Sequence, residues 1–264
     1  MSLELLETTK ICAAIEPENL SRLANLQLFD TLDSTNSYLL EQSKSGAPRG
    51  SVCFAEEQTK GRGRLNRAWF SSGGMNIACS MLWRFPDATP DVSGLSIAVG
   101  VMVSNVLRKY GVKSGIQLKW PNDVLVDNRK LAGILLERSE LSSVVIGIGL
   151  NLDVAARDEK NWIDLAEITG QKASRNYIAG LLVNELLEKL PVFEARGLSV
   201  FMSDWEKHDA LLDKPITVHT PTKQLIGVMR GINERGELLL ENESGEMQSF
   251  CYGEVSVRAY APED

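Results

Sequence analysis

A chain of 264 residues with 44% hydrophobic and 24% charged side chains has the composition of a protein that buries a sizeable core, and its length suits one large domain with a small one beside it. Asp and Glu number 35 against 28 Lys and Arg, a formal net charge of -7, so the surface as a whole is not built for a polyanion. Cys12, Cys53, Cys79 and Cys251 form no C-x-x-C pair, which argues for buried thiols in a reducing compartment and against a disulfide or zinc framework. There is no run of about 18 apolar residues. The opening MSLELLETTK lacks the basic and apolar regions of a signal peptide, so a cytoplasmic protein without a membrane span is expected.

In chain order, STNSYLLEQ at 34–42 opens with cap-type residues and continues as a helix, and SVCFAEEQ reads as a strand. A glycine-softened basic loop follows it. NIACSMLW (76–83) is the next strand, with Pro86 and Pro90 punctuating its exit. Leu95, Val99, Met102 and Val106 have helical spacing, and Gly111 is placed to cap that helix. IQLKW alternates Ile116, Leu118 and Trp120 inward, and Pro121 stops it. A hairpin turning at Asp127-Asn128 joins VLV to RKLAGILLE, and SSVVIGIGLNLD is a further strand. A long helix starts near Ser174, bends at Pro191 and ends near Gly197. After WEKHDALL the texture changes. From Pro215, short strands alternate with turn clusters, which predicts a small β-barrel beyond a boundary near 212–215.

Some chemistries drop out on inspection. The two histidines, His208 and His219, lie away from the motif-rich half, against a histidine triad or zinc site. GIGLNL has Leu152 where a dinucleotide fingerprint needs its third glycine, and no P-loop pattern occurs. The basic loop TKGRGRLNRAW (59–69) holds four cations and no acid. Its Gly61 and Gly63 allow close backbone approach, and Arg62, Arg64 and Arg67 offer planar forks to phosphate or carboxylate. KWPND brings Lys119, Asn122 and Asp123 to one strand end, where they suit phosphate, a polar ring edge and a metal ion, while Trp120 reads as core. Lys130 returns beside them on the hairpin, with Ala132 and Gly133 leaving room. Asp33-Ser34-Thr35-Asn36 reads equally as a helix N-cap and as polar groups facing a ligand.

DSTN, EEQTKGRGRLNRAWFSSGGMN, KWPNDVLVDNRKLAGILLE and IGIGLNL, in this order and at these separations, resemble the biotin protein ligase family, and GVMRGINERGELLLE through GEVSVR resembles its C-terminal SH3-like domain. The resemblance spans about residues 2–260. It implies an α+β catalytic domain over 1–212, a mixed sheet flanked by helices, followed by a small SH3-like β-barrel over 213–264. The implied activity joins biotin and ATP, with Mg²⁺, into biotinyl-5'-AMP and transfers the biotinyl group to a lysine of the biotin carboxyl carrier protein of acetyl-CoA carboxylase. A homodimer is implied as well.

Position by position, Ser34, Thr35, Asn36, Gln58, Gly61 and Gly133 match the biotin pocket, and Ser34, Thr35 and Gln58 match the groups on the ureido ring. Arg62 and Lys130 match the cations bridging the biotin carboxylate and the α-phosphate. Arg64, Arg67, Trp69, Asn122, Asn151, Trp162 and Arg258 match groups around ATP or the adenylate, and Lys119 and Asp123 the phosphate and Mg²⁺ neighbourhood. Two departures stand out: Asn66 replaces a glycine common in the loop, and the winged helix-turn-helix of members that are also repressors does not precede the motifs. SLELLETTKICAAI resembles the segment directly after that DNA-binding domain, and this chain as given is expected not to bind a specific operator. A lipoate or octanoate transferase of related fold and a truncated biotin-sensing repressor are the rival readings.

Overall fold

The structure is a computed structural model that describes residues 4–86, 91–139, 142–154, 161–251 and 255–259. Pro90 and the first three residues lie outside them. Two short helices, α1 (Thr8–Cys12) and α2 (Pro17–Leu20), lead into β1 (Asn25–Leu32), α3 (Thr35–Lys44), β2 (Ser51–Gln58) and β3 (Asn76–Arg84). Helix α4 (Leu95–Tyr110) precedes the strands β4 (Ile116–Lys119), β5 (Asp123–Val126), β6 (Arg129–Arg138) and β7 (Ser143–Asn151). Helices α5 (Leu165–Thr169), α6 (Arg175–Arg196) and α7 (Ser199–His208) complete the larger part.

Its seven-stranded sheet has the order β1-β2-β3-β7-β6-β5-β4. The β1–β2 pair is parallel and every other neighbour antiparallel, which makes it the mixed sheet expected. Strand alternation sends two side-chain sets to opposite faces. On one face Leu39 of α3 packs with Cys53, Leu82 and Val145. On the other, Phe54, Ile77, Met81 and Ile146 join the larger core with α4 and α6. Among the described helices α3 covers the first face, and the strand ends beyond it border a cavity.

The local signals explain the elements. Ser34 caps α3 by accepting a hydrogen bond from the Ser37 amide. Asp127 and Asn128 turn the β5–β6 hairpin at φ 50° and 61°, the left-handed values such a two-residue turn requires. Helix α6 is continuous through Pro191 and capped by Gly197. Trp120 is buried as expected, and its Nε1 donates to the Gly236 carbonyl at 3.0 Å.

The remaining strands β8 (Pro215–His219), β9 (Gln224–Ile232), β10 (Leu238–Glu241), β11 (Met247–Phe250) and β12 (Ser256–Ala259) form an antiparallel sheet ordered β11-β10-β9-β8-β12. Among the described residues β11 and β12 are its edges, so the expected small barrel is present as a five-stranded sheet without a pairing that closes it. It sits tightly on the larger part: a Cβ on Gly236 would come within 2.8 Å of Gly94 Cα.

The cysteines depart in part from expectation. All four are free, and Cys53 and Cys79 are buried. Burial pushes the Cys53 thiol up to about 12, and raises Cys79 as well. Cys251, by contrast, is exposed, with Sγ 3.2 Å from Glu237 Oε1. It follows the edge strand that ends at Phe250, whose Met247, Gln248 and Ser249 are exposed as well. Among the described residues no helix is long and apolar enough to cross a membrane.

Candidate active site

The basic loop leaves β2 and folds back on itself above the sheet. Backbone hydrogen bonds from Trp69 N to Gly61 O at 2.8 Å and from Gly63 N to Arg67 O at 2.7 Å close it, with one 3-10 turn at Arg64–Asn66. Gly61 is required sterically, because a Cβ there would lie 2.4 Å from the Trp69 carbonyl oxygen. Beneath the loop is a cavity of about 300 Å³. Ser34, Thr35, Asn36, Gln58, Arg62, Arg64, Arg67, Trp69, Asn122, Asp123, Lys130, Gly133 and Trp162 all line it. Residues spread over more than a hundred positions thus converge on one site.

Three glycines make its floor. A Cβ on Gly147 would meet Asn36 Oδ1 at 2.3 Å, and one on Gly149 would meet the Trp69 indole at 2.3 Å. One on Gly133 would reach Lys130 Nζ and the Trp69 ring at 3.2 and 3.3 Å. The glycines of GIGLNL, a failed dinucleotide fingerprint in sequence, therefore provide room for side chains that stand on the sheet.

One end of the cavity is a network of mostly neutral polar groups. Gln58 Oε1 accepts from the Thr35 amide at 2.9 Å and its hydroxyl at 3.2 Å. Ser80 Oγ bridges Thr35 Oγ1 at 2.7 Å and Asn36 Oδ1 at 2.6 Å, and Asn36 Nδ2 donates to Glu137 Oε2 at 2.8 Å. Arg62 Nη2 donates to the same Glu137 oxygen at 2.9 Å and to Ser37 Oγ at 3.1 Å. The loop cations are thus not unopposed as the sequence suggested. Glu137, 75 positions away in the chain, answers Arg62.

The other end is cationic. Lys130 Nζ pairs with Asp123 Oδ1 at 2.6 Å and lies 5.6 Å from the centre of the Trp69 ring. Trp69 and Trp162 stack with their ring centres 6.2 Å apart and their planes 19° from parallel. Trp162 owes its position to a backbone bridge, since Lys130 N donates to Asn161 O at 2.8 Å and Ile163 N to Lys130 O at 3.0 Å. Lys119 stands just behind. Burial lowers its pKa most, the charges of Lys130, Arg258 and Arg67 lower it further, and Asp123 opposes them.

Some expected site residues take other positions. Gly61, Lys119, Asn151 and Arg258 do not line the cavity. Asn151 is buried, with Nδ2 on the carbonyls of Lys130 and Ile163 at 3.3 and 3.2 Å and Oδ1 accepting from Asn76 at 3.0 Å. Its amide crosslinks the segments that present Lys130 and Trp162. Asn122 lines the cavity yet braces the hairpin, donating from Nδ2 to the Ile134 carbonyl at 2.8 Å. Arg258 is exposed on β12, two residues from Ser256, which does line the cavity.

Arg62 and Lys130, expected to bridge the biotin carboxylate and the α-phosphate, both line the cavity and have different protein partners. Lys130 Nζ lies beside Gly133, whereas Arg62 is bound to Glu137, four residues, or roughly 13 Å of strand, further along β6. Glu137, Ser37, Ser80, Gly147 and Gly149 escaped the sequence reading. For Glu137 a signal existed, since Gly133, Leu135 and Glu137 share one face of a strand at period two.

A seven-stranded mixed sheet, a small antiparallel sheet and a glycine-floored cavity under an arginine loop define the class: residues 28–151 match the biotin/lipoate A/B protein ligase family, and residues 211–258 match the biotin protein ligase C-terminal domain. The bifunctional ligase/repressor BirA of Escherichia coli is 37% identical over 243 residues, 89% of this chain and 74% of that protein. The biotin--[acetyl-CoA-carboxylase] ligase of Mycobacterium tuberculosis is 33% identical over 216 residues, 79% of this chain and 80% of that one. The Aquifex aeolicus biotin protein ligase in complex with biotin and ATP superposes with a TM-score of 0.80 at 28% identity, covering 90% of this chain and all of that one. The chain belongs to the biotin protein ligase family and is an enzyme of that class.

Proposed function

We propose that this enzyme activates biotin as biotinyl-5'-AMP and transfers the biotinyl group to one lysine of a biotin carboxyl carrier protein. The observation that carries the reading is the polarity of the cavity. A hydrogen-bonding end at Ser34, Thr35 and Gln58 suits a neutral ureido ring, and a cationic end at Lys130, with Lys119 behind the lining, suits a carboxylate meeting a phosphate. Trp69 and Trp162 between them offer an apolar face to an alkyl chain or a purine. Arg64 and Arg67 contribute to the adenylate from the loop, and Arg258 stands outside the cavity where triphosphate or carrier would pass.

A carboxylate is a poor acyl donor because oxide is a bad leaving group. In the first step its oxygen attacks the α-phosphorus of ATP, the bond from that phosphorus to the oxygen bridging to the β-phosphate breaks, and pyrophosphate leaves. In the second, the carrier's lysine amine attacks the acyl carbonyl, the bond to the phosphate oxygen breaks, AMP leaves and the nitrogen loses a proton. Lys130, oriented by Asp123, neutralises charge at the point where carboxylate and α-phosphate meet. The loop excludes water from the mixed anhydride.

Mg²⁺ enters this reading as part of MgATP. Among the described residues no three acidic, histidine or cysteine groups gather as a cation cage. Asp123 and Asn122 offer single oxygens beside the phosphate end, which fits an ion carried mainly by phosphate oxygens and supplying further charge neutralisation. In the same reading the catalytic part is 1–212, the C-terminal part 213–264, and the working form a cytoplasmic homodimer.

The test is biotin-dependent ATP/pyrophosphate exchange, together with the mass gained by a carrier domain offered biotin and lipoate side by side. Exchange with biotin and a biotinyl mass shift are expected. Exclusive use of lipoate would transfer the chain to the rival acyl-transfer reading. Lys130→Ala should lower exchange about 10²-fold with an unchanged melting temperature, the scale of one lost charge-stabilising donor, and near-normal exchange in that variant would remove Lys130 from the mechanism.

A further inference from the structure

We propose that Glu137 is a positioning residue, a latch that holds the Arg62 end of the basic loop over the polar end of the cavity and so retains the acyl-adenylate until the carrier arrives. This rests on the function proposed above. The geometry that carries it is the triple contact at Glu137 Oε2 and Arg62 Nη2: Arg62 to Glu137 at 2.9 Å, Arg62 to Ser37 at 3.1 Å, and Asn36 to the same Glu137 oxygen at 2.8 Å. The anchor is rigid. Glu137 stands on β6, and Asn36 is held in the first turn of α3 by Ser80 at 2.6 Å and the Leu135 carbonyl at 3.3 Å.

The moving part is equally well defined. Arg62 and Ala68 face each other as a bridge across the loop, and Gly61, Gly63, Arg64, Arg67 and Trp69 are joined by backbone hydrogen bonds, so the loop moves as one body when Arg62 moves. Its far side leans on the small sheet through Arg64 Nη2 and the Val255 carbonyl at 3.3 Å. Charge supports the assignment. A neutral ureido ring gives a guanidinium nothing to neutralise at that end of the cavity, and Lys130 pairs with its own acid, Asp123, beside Gly133, four residues before Glu137 on the strand. Glu137 accounts for the arginine there.

The strength fits a latch that has to open. The Arg62 side chain is 39% exposed and that of Glu137 24%, so solvent screens the pair and limits it to the modest scale of a surface ion pair. A fully buried pair would hold the loop shut against product release. In Glu137→Gln the amide oxygen can still accept from both Arg62 and Asn36, but the negative charge that strengthens the Arg62 contact is lost while the shape stays.

The experiment follows the fate of the intermediate on the full chain. Enzyme, labelled biotin and MgATP are incubated with pyrophosphatase, free ligand is removed, and the label remaining on the protein is timed without carrier. Glu137→Gln should release adenylate about fivefold faster than the parent, the upper range for an exposed pair, while its single-turnover adenylation rate falls by a smaller factor. Arg62→Gln should release at a similar rate, and the double variant no faster than either single, because both weaken one contact. Ser37→Ala should move release in the same direction by less, which keeps the test open should Glu137→Gln fold poorly. Retention equal to the parent in both Glu137→Gln and Ser37→Ala, or effects of Glu137→Gln and Arg62→Gln that add, would overturn the latch. Failure of the parent itself to form adenylate would instead bring down the proposed function, and the latch with it.

Discussion

Gly147 and Gly149 carry no functional group, yet they set where the working side chains stand. Both fall on the α3 side of β7, and each leaves a hollow into which another residue is packed, Asn36 in one and the Trp69 indole in the other. An added methyl cannot be absorbed by a flexible chain end, since the indole is wide and its backbone is fixed to Gly61. Gly149→Ala should therefore raise the KM for ATP or biotin about tenfold, an energy inside the usual range for overpacking, with a small loss in melting temperature. Gly73→Ala is the control, because nothing lies within 4 Å of a Cβ there. Equal KM values in the two variants would show that Trp69 is not held by the floor. At this scale the motifs told which residue types gather but not which atoms meet. Asn151 falls within a recognised motif, but its amide is spent on Lys130 and Ile163. Glu137 falls at the end of another and faces an arginine 75 positions away, a pairing that only the sheet register determines.

Elements with strong local signals were legible, and those that depend on tertiary partners were not. The Asp127-Asn128 hairpin, the Ser34-capped helix and α4 with its Gly111 cap follow from turn chemistry and periodicity. Strand β1 is an edge strand of half-buried residues, whose pattern gives little contrast between faces. Helix α7 has only Phe201 and Trp205 fully buried, too few to mark a stripe. Its end matters nonetheless. Asp209 follows it and bridges to Leu118, one residue before the strand end that presents Lys119, and the Ala210 amide donates to the Leu118 carbonyl at 2.9 Å. Burial pushes the Asp209 carboxyl up to about 6, against the opposing hydrogen bond from the Leu211 amide. The folded state thus favours the neutral acid. Its stabilising contribution is complete below the ordinary value of 3.8 and is lost as pH rises through about 6. Asp209→Asn, a permanent mimic of the neutral form, should gain stability relative to the parent between pH 5 and pH 8, by about 1 kcal/mol. Urea denaturation of both proteins at the two pH values measures this. A stability difference that does not change with pH would mean that solvent reaches the carboxylate.

The change of texture at Pro215 marked a second unit in the sequence, and the resemblance brought its Arg258 toward ATP, but neither showed the contacts by which this unit helps wall the cavity. Arg64 and Val255, 191 positions apart, meet through a side chain and a carbonyl, Trp120 bonds to Gly236, and Ser256 reaches the cavity lining. Contacts of that range follow from how two sheets dock, which no local pattern encodes. The distribution of tryptophans across the whole molecule has a use that follows directly from it. Of the five, Trp83 and Trp120 are 1% exposed and Trp205 2%, all enclosed in the core, while Trp69 and Trp162 line the cavity and stack on each other. The core three form a constant background, so the protein carries a built-in optical probe of its own site. Titrating biotin and then ATP should shift or quench the intrinsic emission in two resolved stages. Trp69→Phe should reduce both signals, and a change that persists undiminished in a Trp69→Phe, Trp162→Phe double variant would place the responding indole elsewhere.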